Sequence, residues 1–327
     1  MWRGGRALTT TRVGVSPRPY DDGVADPDDL AERFSAHRAH LLNVAYRLTG
    51  SLADAEDAVQ EAWLRLDGLS EADRARIRDL RAWLTTVVAR ICLDRLTSAA
   101  VRRERYVGPW LPEPIVTGPD GNDPLATVVR DDGLRMAAMV VLDRLTPEQR
   151  VAFVLHDAFS VPFSEIAALL GCSEAAARQY ASRGRRAVAD ADPPPRVALT
   201  DQRAILERFV AAFTAGDTEA LVSLLHPDVV LIGDGGGKAQ TARRVIVGAE
   251  KIVRFFSGLL ARYGTQVFDA MRPVLVNGDL GVVLPERPGR EPGWTLNRRV
   301  MTIAIRDGRI AQIYDVVNPD KLTRVAW

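Results

Sequence analysis

Residues 162–188 read "PFSEIAALLGCSEAAARQYASRGRRAV", and this stretch decides how the first half of the chain folds. Ile166, Ala167 and Leu170 recur at helical spacing and run into a tight turn at Gly171. Ser173 then stands as the N-cap of a second helix, with small Ala175, Ala176 and Ala177 where that helix must pack closely. Helix, glycine turn and capped helix make a helix-turn-helix, whose second helix enters a DNA major groove. Its exposed positions are expected to be Glu174, Arg178, Gln179, Ser182, Arg183, Arg185 and Arg186. Four arginines against one glutamate over 173–186 give a net charge of +3. Arginine and glutamine can bond base edges, and the arginines toward the C-terminal end suit phosphates.

Working outward, Thr146-Pro147-Glu148-Gln149 is a helix start, with Thr as N-cap, Pro at the first helical position and Gln reaching back. Further upstream, residues 29–106 carry helical periodicity throughout. Phe34, Leu41, Ala45 and Leu48 share one face, Ala55, Ala58, Val59, Ala62, Trp63 and Leu66 a second, and Leu80, Leu84, Val87 and Ile91 a third. Ser51 is placed to cap the middle helix, with acids in its first turn. Residues 90–106 hold five arginines against two acids, a second patch of +3. The helix over 54–67 has the opposite sign, −4, which suits a basic protein partner better than DNA.

Five prolines in 107–124 mark an irregular linker, and "DADPPPR" (190–196) a second, because consecutive prolines cannot continue a helix. Past residue 200 two amphipathic helices (about 201–225 and 248–263) precede strand-like runs, "RPVLVNGDLGVVL" and "RRVMTIAIRDGRIAQIYDVV". Asn277-Gly278 and Asp307-Gly308 read as hairpin turns between them. Helices followed by an antiparallel sheet predict an α+β domain. The segment 1–28, rich in Arg and Pro without an apolar stretch, reads as a disordered extension.

Composition excludes several classes. The net charge of +1 leaves a nucleic-acid partner to be argued from charge distribution alone. Cys92 and Cys172 are far apart, which suits a reducing cytoplasm and opposes a disulfide framework or zinc site. With four histidines no metal set is completed, and no cofactor is expected. No apolar run is long enough to span a bilayer, so no membrane helix is expected. "LIGDGGGK" (231–238) resembles a phosphate loop only at its end. The template G-x-x-x-x-G-K-[ST] needs Gly where Ile232 stands and a hydroxyl where Ala239 stands. The glycines instead suit a tight loop after a strand over Val229–Ile232.

The stretches "NVAYRLTGSLADAEDAVQEAWLRL" (43–66), "RAWLTTVVARICLDRL" (81–96) and the helix-turn-helix together resemble regions 2 and 4 of extracytoplasmic-function (ECF) sigma factors. The resemblance implies contacts with the β′ clamp and β flap of core RNA polymerase and with promoter DNA. Asp54, Asp57, Gln60, Glu61 and Leu64 would contact the clamp. Trp83, Arg90, Arg95, Arg102 and Arg103 would recognise the −10 element, and Glu174, Arg178, Gln179, Ser182, Arg183 and Arg186 the −35 element. Ile91 departs from the Asn of many members. Residues 201–320 resemble a SnoaL-like domain, a conical α+β fold, fused to a subset of these sigma factors. "WLPEP" (110–114), "DGGGK" (234–238) and "NPDKL" (318–322) mark that subset.

The expected organisation is an extension (1–28), an all-α region 2 domain (29–106), a linker (107–124) and an all-α region 4 domain (125–190). A second linker (191–200) and the SnoaL-like regulatory domain (201–327) follow. The three marker motifs are expected to form one contact that fixes how the two sigma domains sit. It would use Trp110, Pro112, Glu113, Asp234, Lys238, Asn318, Asp320 and Lys321, with Lys238 reaching a linker carboxylate such as Glu113. His226, Asp228, Tyr263, Trp294 and Tyr314 are candidates for the conical pocket. No pair among them has catalytic spacing, so a small-molecule ligand is a better expectation than catalysis. The alternative for the segment 1–190 is an ordinary helix-turn-helix regulator with a ligand-sensing domain, which would have no use for an acidic polymerase-facing helix.

Overall fold

The computed structural model describes residues 27–103, 106–118, 134–290 and 292–327. Nearly all of the expected N-terminal extension, the end of the first linker and the start of the region 4 segment lie outside the described residues. The chain divides into two units, one ending at Ala36 and one starting at His37. The first contributes helix α1 (Pro27–Ser35), with an exposed Arg33–Asp29 pair one turn apart.

The second unit begins with α2 (Arg38–Thr49), α3 (Leu52–Asp67), the single turn α4 (Glu71–Arg74) and α5 (Leu80–Arg103). Gly50 stops α2 at φ 69° and donates its N–H to Tyr46 O, and Ser51 then caps α3 by accepting from the Asp54 N–H. Leu41, Ala45 and Leu48 of α2, Ala55, Val59 and Ala62 of α3, and Leu84, Val88 and Ile91 of α5 are buried together. Each such Leu or Ile contributes roughly 1.5–3 kcal/mol. The buried stripe of α5 runs through Val88 rather than the expected Val87, because Leu84, Val88 and Ile91 keep the i, i+4, i+7 spacing.

His40 on α2 faces α5. Arg81 donates to its Nδ1 (3.0 Å), and Nε2 lies 2.9 Å from Thr85 Oγ1. A ring nitrogen that accepts from a guanidinium must be unprotonated, so this geometry holds the neutral imidazole. Burial first, and the Arg81 charge second, lower its pKa from 6.5 to about 4. The unfolded chain therefore binds the extra proton between those values. The contribution of neutral His40 is complete above pH 6.5 and is lost as pH falls toward 4. In His40→Gln, whose amide can make both bonds, the drop in urea midpoint from pH 7.5 to pH 5 should be smaller than in the wild type. An equal drop would mean the proton goes elsewhere.

Helices α6 (Met136–Leu142), α7 (Pro147–Phe153), α8 (Phe163–Leu170) and α9 (Glu174–Ala191) follow. The Thr146/Gln149 capping box forms, a π-turn over Val154–Ala158 extends α7, Gly171 closes α8 at φ 65°, and Ser173 caps α9. The close packing of α9 lies further along than expected. Ala175 is exposed and Ala176 half-buried, whereas Ala177, Ala181 and Gly184 are buried. A Cβ at Gly184 would lie 2.8 Å from Phe153 Cβ and 3.1 Å from Gln149 O, so glycine sets the α7–α9 distance.

The third domain differs from the expected order in three ways. The first long helix is broken at Gly216, φ 70°, into α10 (Leu199–Ala215) and α11 (Thr218–Leu224), with Asp217 capping the second. The strand expected over Val229–Ile232 is part of β2 (Leu225–Asp234), which with β3 (Ile246–Val247) precedes α12 (Ala249–Tyr263), but β2 pairs in parallel rather than antiparallel with β9 (Arg309–Val316). Strand β1 (Val116–Thr117) belongs to the first linker, yet it pairs antiparallel with β4 (Arg272–Val276) at the edge of this sheet. With β5 (Asp279–Leu284) and β8 (Arg299–Arg306), the sheet order is β1-β4-β5-β8-β9-β2-β3. The short β6 (Arg287–Pro288) and β7 (Thr295–Leu296) pair separately.

The period of two gives the sheet two apolar faces. Leu231, Ile303, Ile305 and Ile313 pack under α10, α11 and α12. Ile232, Val300, Ala304, Tyr314 and Val316 face the other way, onto Leu111 of the linker, Met136 and Ala137 of α6, and Leu322 and Val325 of the tail. One sheet thus forms its own domain's core and the seat of the helical domains.

Candidate nucleic-acid interface and inter-domain junction

Glu174, Arg178, Gln179, Ser182, Arg183, Arg185 and Arg186 are all exposed on α9. Arg178 is tied locally by Glu174 (2.7 Å) and lies over the Phe163 ring, and Arg185 makes two bonds to Asp157 on the π-turn. Ion pairs or hydrogen bonds to Arg183 and Arg186 are not present among the described residues, and both side chains are exposed.

On α3, Asp57, Gln60 and Leu64 are exposed and Asp54 and Glu61 half-buried. Leu64 is 60% exposed on an otherwise acidic surface. Arg95 turns toward this helix rather than toward open solvent. Its guanidinium donates to Asp54 O (3.0 Å) and lies 3.4 Å from the Asp54, 3.6 Å from the Asp57 and 3.8 Å from the Glu61 carboxylates. Trp83 is half-buried. Arg90 donates to Ala168 O (3.3 Å) and Leu169 O (3.1 Å), the carbonyl end of α8, where a cation is favoured. Arg102 and Arg103 lie in α5, but their side chains are outside the described residues. The Cys92 thiol, buried on the same helix, is pushed up to about 12 by burial and is inert.

The three marker motifs meet at Asp234, which ends β2 fully buried. Its carboxylate accepts from the Tyr106 hydroxyl (2.5 Å), the Leu111 N–H (2.8 Å), the Gly236 N–H (3.1 Å) and the Lys321 ammonium (2.6 Å). Lys321 also donates to Leu111 O and lies 4.1 Å from the Trp110 ring centre. Asn318 donates to the Tyr106 hydroxyl (2.7 Å), and Lys238 pairs with Asp320 (2.5 Å). Glycine is required at 236 and 237, where φ is 57° and 73° and a Cβ would meet Asn318 and Val107 respectively. The glycines of the loop admit the tail and the linker, not a phosphate.

Lys238 does not reach Glu113, as the sequence suggested. Glu113 is buried elsewhere: its carboxylate accepts from the Leu52 N–H (2.7 Å), the Ala53 N–H (3.3 Å) and the Ser51 hydroxyl (3.3 Å) at the start of α3. The reason is the set of unpaired N–H groups and the positive dipole end at a helix N-terminus, which together outcompete one exposed ammonium. Pro112 is buried beside it, and Trp110 packs on Gly50, where a Cβ would come within 2.7 Å of the indole.

Sequence reasoning missed the second half of the junction. Asn277, read as a hairpin turn, is buried at φ 52°. Its amide accepts from the Ile115 N–H (3.0 Å) of the linker and donates to the Tyr46 hydroxyl (2.9 Å) of α2 and to Leu134 O (2.8 Å) beside α6. One side chain thus joins all three domains. Just beyond it, Asp279 accepts from Arg135 Nε (2.8 Å) and from Gln202 (3.1 Å), both buried. Arg150 of α7, 1% exposed, donates to Arg47 O (2.9 Å) of α2 and to Asp143 (3.3 Å). Arg324 of the tail forms a two-bond pair with Glu56 on α3. No local pattern marks these groups, because each is recognisable only by what it meets across the chain.

Of the five pocket candidates, only Tyr263 lines the cavity of the third domain. His226 accepts from the Asp228 N–H in an exposed turn of β2, Trp294 stacks under Arg262, and Tyr314 is buried on the opposite face of the sheet. Tyr314 is out by the strand period, since its neighbour Ile313 takes the cavity face.

Comparison with known proteins agrees with this layout. The sigma-70 region 2 model matches residues 33–102, the sigma-70 region 4 model residues 135–188, and the SnoaL-like domain model residues 206–313. The ECF RNA polymerase sigma factor SigJ of Mycobacterium tuberculosis is 53% identical over 296 residues, 89% of this chain and 92% of that protein. SigG of the same organism, also an ECF RNA polymerase sigma factor, is 31% identical over 245 residues, covering 67% of this chain and 66% of its own. The crystal structure of the M. tuberculosis SigJ matches with a TM-score of 0.76 at 52% identity, over 90% of this chain and 98% of that one. No described helix is long and apolar enough to cross a membrane.

Proposed function

The chain belongs to the extracytoplasmic-function RNA polymerase sigma factors, and from that premise we propose that its third domain holds the two promoter-reading domains in a closed arrangement. In this reading the protein acts in the cytoplasm, docking core polymerase through α3 and reading promoter DNA through α5 and α9. Asp54, Asp57, Gln60, Glu61 and Leu64 form the docking face. Trp83, Arg90, Arg95, Arg102 and Arg103 serve the −10 element, and Glu174, Arg178, Gln179, Ser182, Arg183 and Arg186 the −35 element.

The observation that carries the closed state is the Arg90 contact with the end of α8, the helix next to α9. The names of the two elements put them about 25 base pairs apart, roughly 85 Å along duplex DNA at about 3.4 Å per base pair. Helices in contact lie only about 10 Å apart. Two reading helices joined through one neighbour cannot span that distance, so productive binding needs α5 and α9 to separate. Asp234, Asn277, Asp279 and Arg150 oppose the separation, because each bonds a group on a different domain or linker.

The docking face is tested at Leu64. An exposed side chain contributes little to folding, so Leu64→Asp should leave the unfolding midpoint unchanged. Affinity for purified core polymerase should fall at least tenfold, and factor-dependent transcription from a −35/−10 promoter with it. Unchanged core affinity would remove α3 from the docking role.

A further inference from the structure

The concave face of the third domain covers a cavity of about 120 Å³ between α10, α12 and strands β5, β8 and β9. A single water needs only about 10–15 Å³ on such a measure, so the space is of ligand size. Its walls are apolar, formed by residues such as Phe209, Phe213, Phe256, Leu260, Met301 and Ile313. The charged residue in the wall is Arg299, which is buried, while the lining Tyr263 and Thr302 hydroxyls already donate to Thr295 O and Leu280 O. Arg299 Nη1 lies 3.3 Å from Asp315 Oδ2 and its Nε donates to Asn297 O (3.4 Å), while Nη2 has no hydrogen-bond partner among the described residues. Asp315 Oδ1 is likewise buried with no donor. A charged pair with a spare donor in an apolar wall leaves an unmet bond that a ligand can complete.

We propose that this cavity binds a neutral, largely apolar molecule carrying one carbonyl acceptor, which takes a hydrogen bond from Arg299 Nη2. Neutrality follows from the charge balance. Arg299 is already paired by Asp315, so a carboxylate ligand would bring a buried charge with no counter-ion. Apolar area supplies affinity and the single donor supplies orientation.

The cavity shares its wall with the grip on region 4. Helix α10 carries the lining residues Leu206 and Phe209 and, near its start, Gln202. The Gln202 amide donates to Asp279 and accepts from the N–H of Leu280, itself a lining residue (2.7 Å). Asp279 is the carboxylate that holds Arg135. A ligand that wedges α10 away from β5 therefore loosens the Asp279–Arg135 anchor. This coupling rests on the closed-state reading given above, whereas the site itself does not.

The test uses the full-length chain and 6-propionyl-2-(dimethylamino)naphthalene, a neutral naphthyl ketone whose emission shifts to the blue in apolar surroundings. Expected is saturable binding of one probe per chain, with the carboxylate analogue, 6-(dimethylamino)-2-naphthoic acid, at least tenfold weaker. Leu260→Phe and Val210→Phe, both on helices rather than on the strands that carry Arg299 and Asp315, fill the cavity, and each should weaken the ketone at least tenfold. Probe binding should also speed amide exchange over α6. Absence of saturable binding, equal binding of acid and ketone, or binding indifferent to both filling variants would overturn the site. Saturable binding with unchanged exchange at α6 would overturn the coupling to region 4.

Discussion

Asp234→Ala is expected to release the linker and tail from the third domain. The wild-type carboxylate is fully buried and neutralises Lys321, whose side chain is largely buried too. Removing one partner of such a pair leaves an uncompensated ammonium, a loss of about 3–5 kcal/mol. The Tyr106 hydroxyl and the Leu111 N–H lose their acceptor at the same time. These costs do not add, because the junction can open and rehydrate once Lys321 is unpaired. About 4 kcal/mol corresponds to roughly a thousandfold shift in the open–closed equilibrium. Backbone amides over 111–117 should therefore exchange about 10²–10³ times faster, while those in the cores of α2 and α9 keep their protection. Uniform exchange at wild-type rates would show that Asp234 does not hold the junction. If closure is inhibitory, promoter affinity with core polymerase should rise in the same variant.

The second large effect is at Asn277, where two substitutions separate two causes. Asn277→Gly keeps the positive φ but leaves the Ile115 N–H and Leu134 O without their partner, and the Tyr46 hydroxyl with only its bond to Glu113 O. Each buried unsatisfied group costs about 1–3 kcal/mol, so a total near 2–4 kcal/mol is expected after local relaxation. Asn277→Ala adds a residue with Cβ at φ 52°, worth about 1–2 kcal/mol more. Tryptophan fluorescence, to which Trp110 seated on Gly50 at the junction contributes, follows urea unfolding of both variants. The order of midpoints should be wild type, then Gly, then Ala. Equal midpoints for Gly and wild type would mean that the three bonds contribute nothing net.

The fold class was legible because its signals are local. Gly171, Ser173 and the Thr146/Gln149 box each act within about one helical turn, and they place α7, α8 and α9 as expected. The hairpin at Asn277-Gly278 was legible for the same reason, since Asn tolerates the left-handed region. Its second role was not, because the amide's partner Tyr46 lies 231 residues away. Marker motifs brought WLPEP, DGGGK and NPDKL to notice, yet charge alone assigned Lys238 to the wrong carboxylate. Helix-end N–H groups had already claimed Glu113, and such a claim is visible only in three dimensions. The misplaced Tyr314 shows a different limit. A one-residue error along a strand exchanges the two faces, and β9 is apolar on both.

The linker strand β1 also sets a clock. Val116 pairs with Val276, which the ribosome adds far later, and the Lys321 anchor comes later still. At about 5–20 residues per second, synthesis needs roughly 10–30 s to pass from one strand to the other. Over the latter half of that time the helices of both sigma domains have been synthesised while their fastening does not yet exist. Each newborn molecule therefore passes through an unfastened interval, and a chain that stops before Val276 never leaves it.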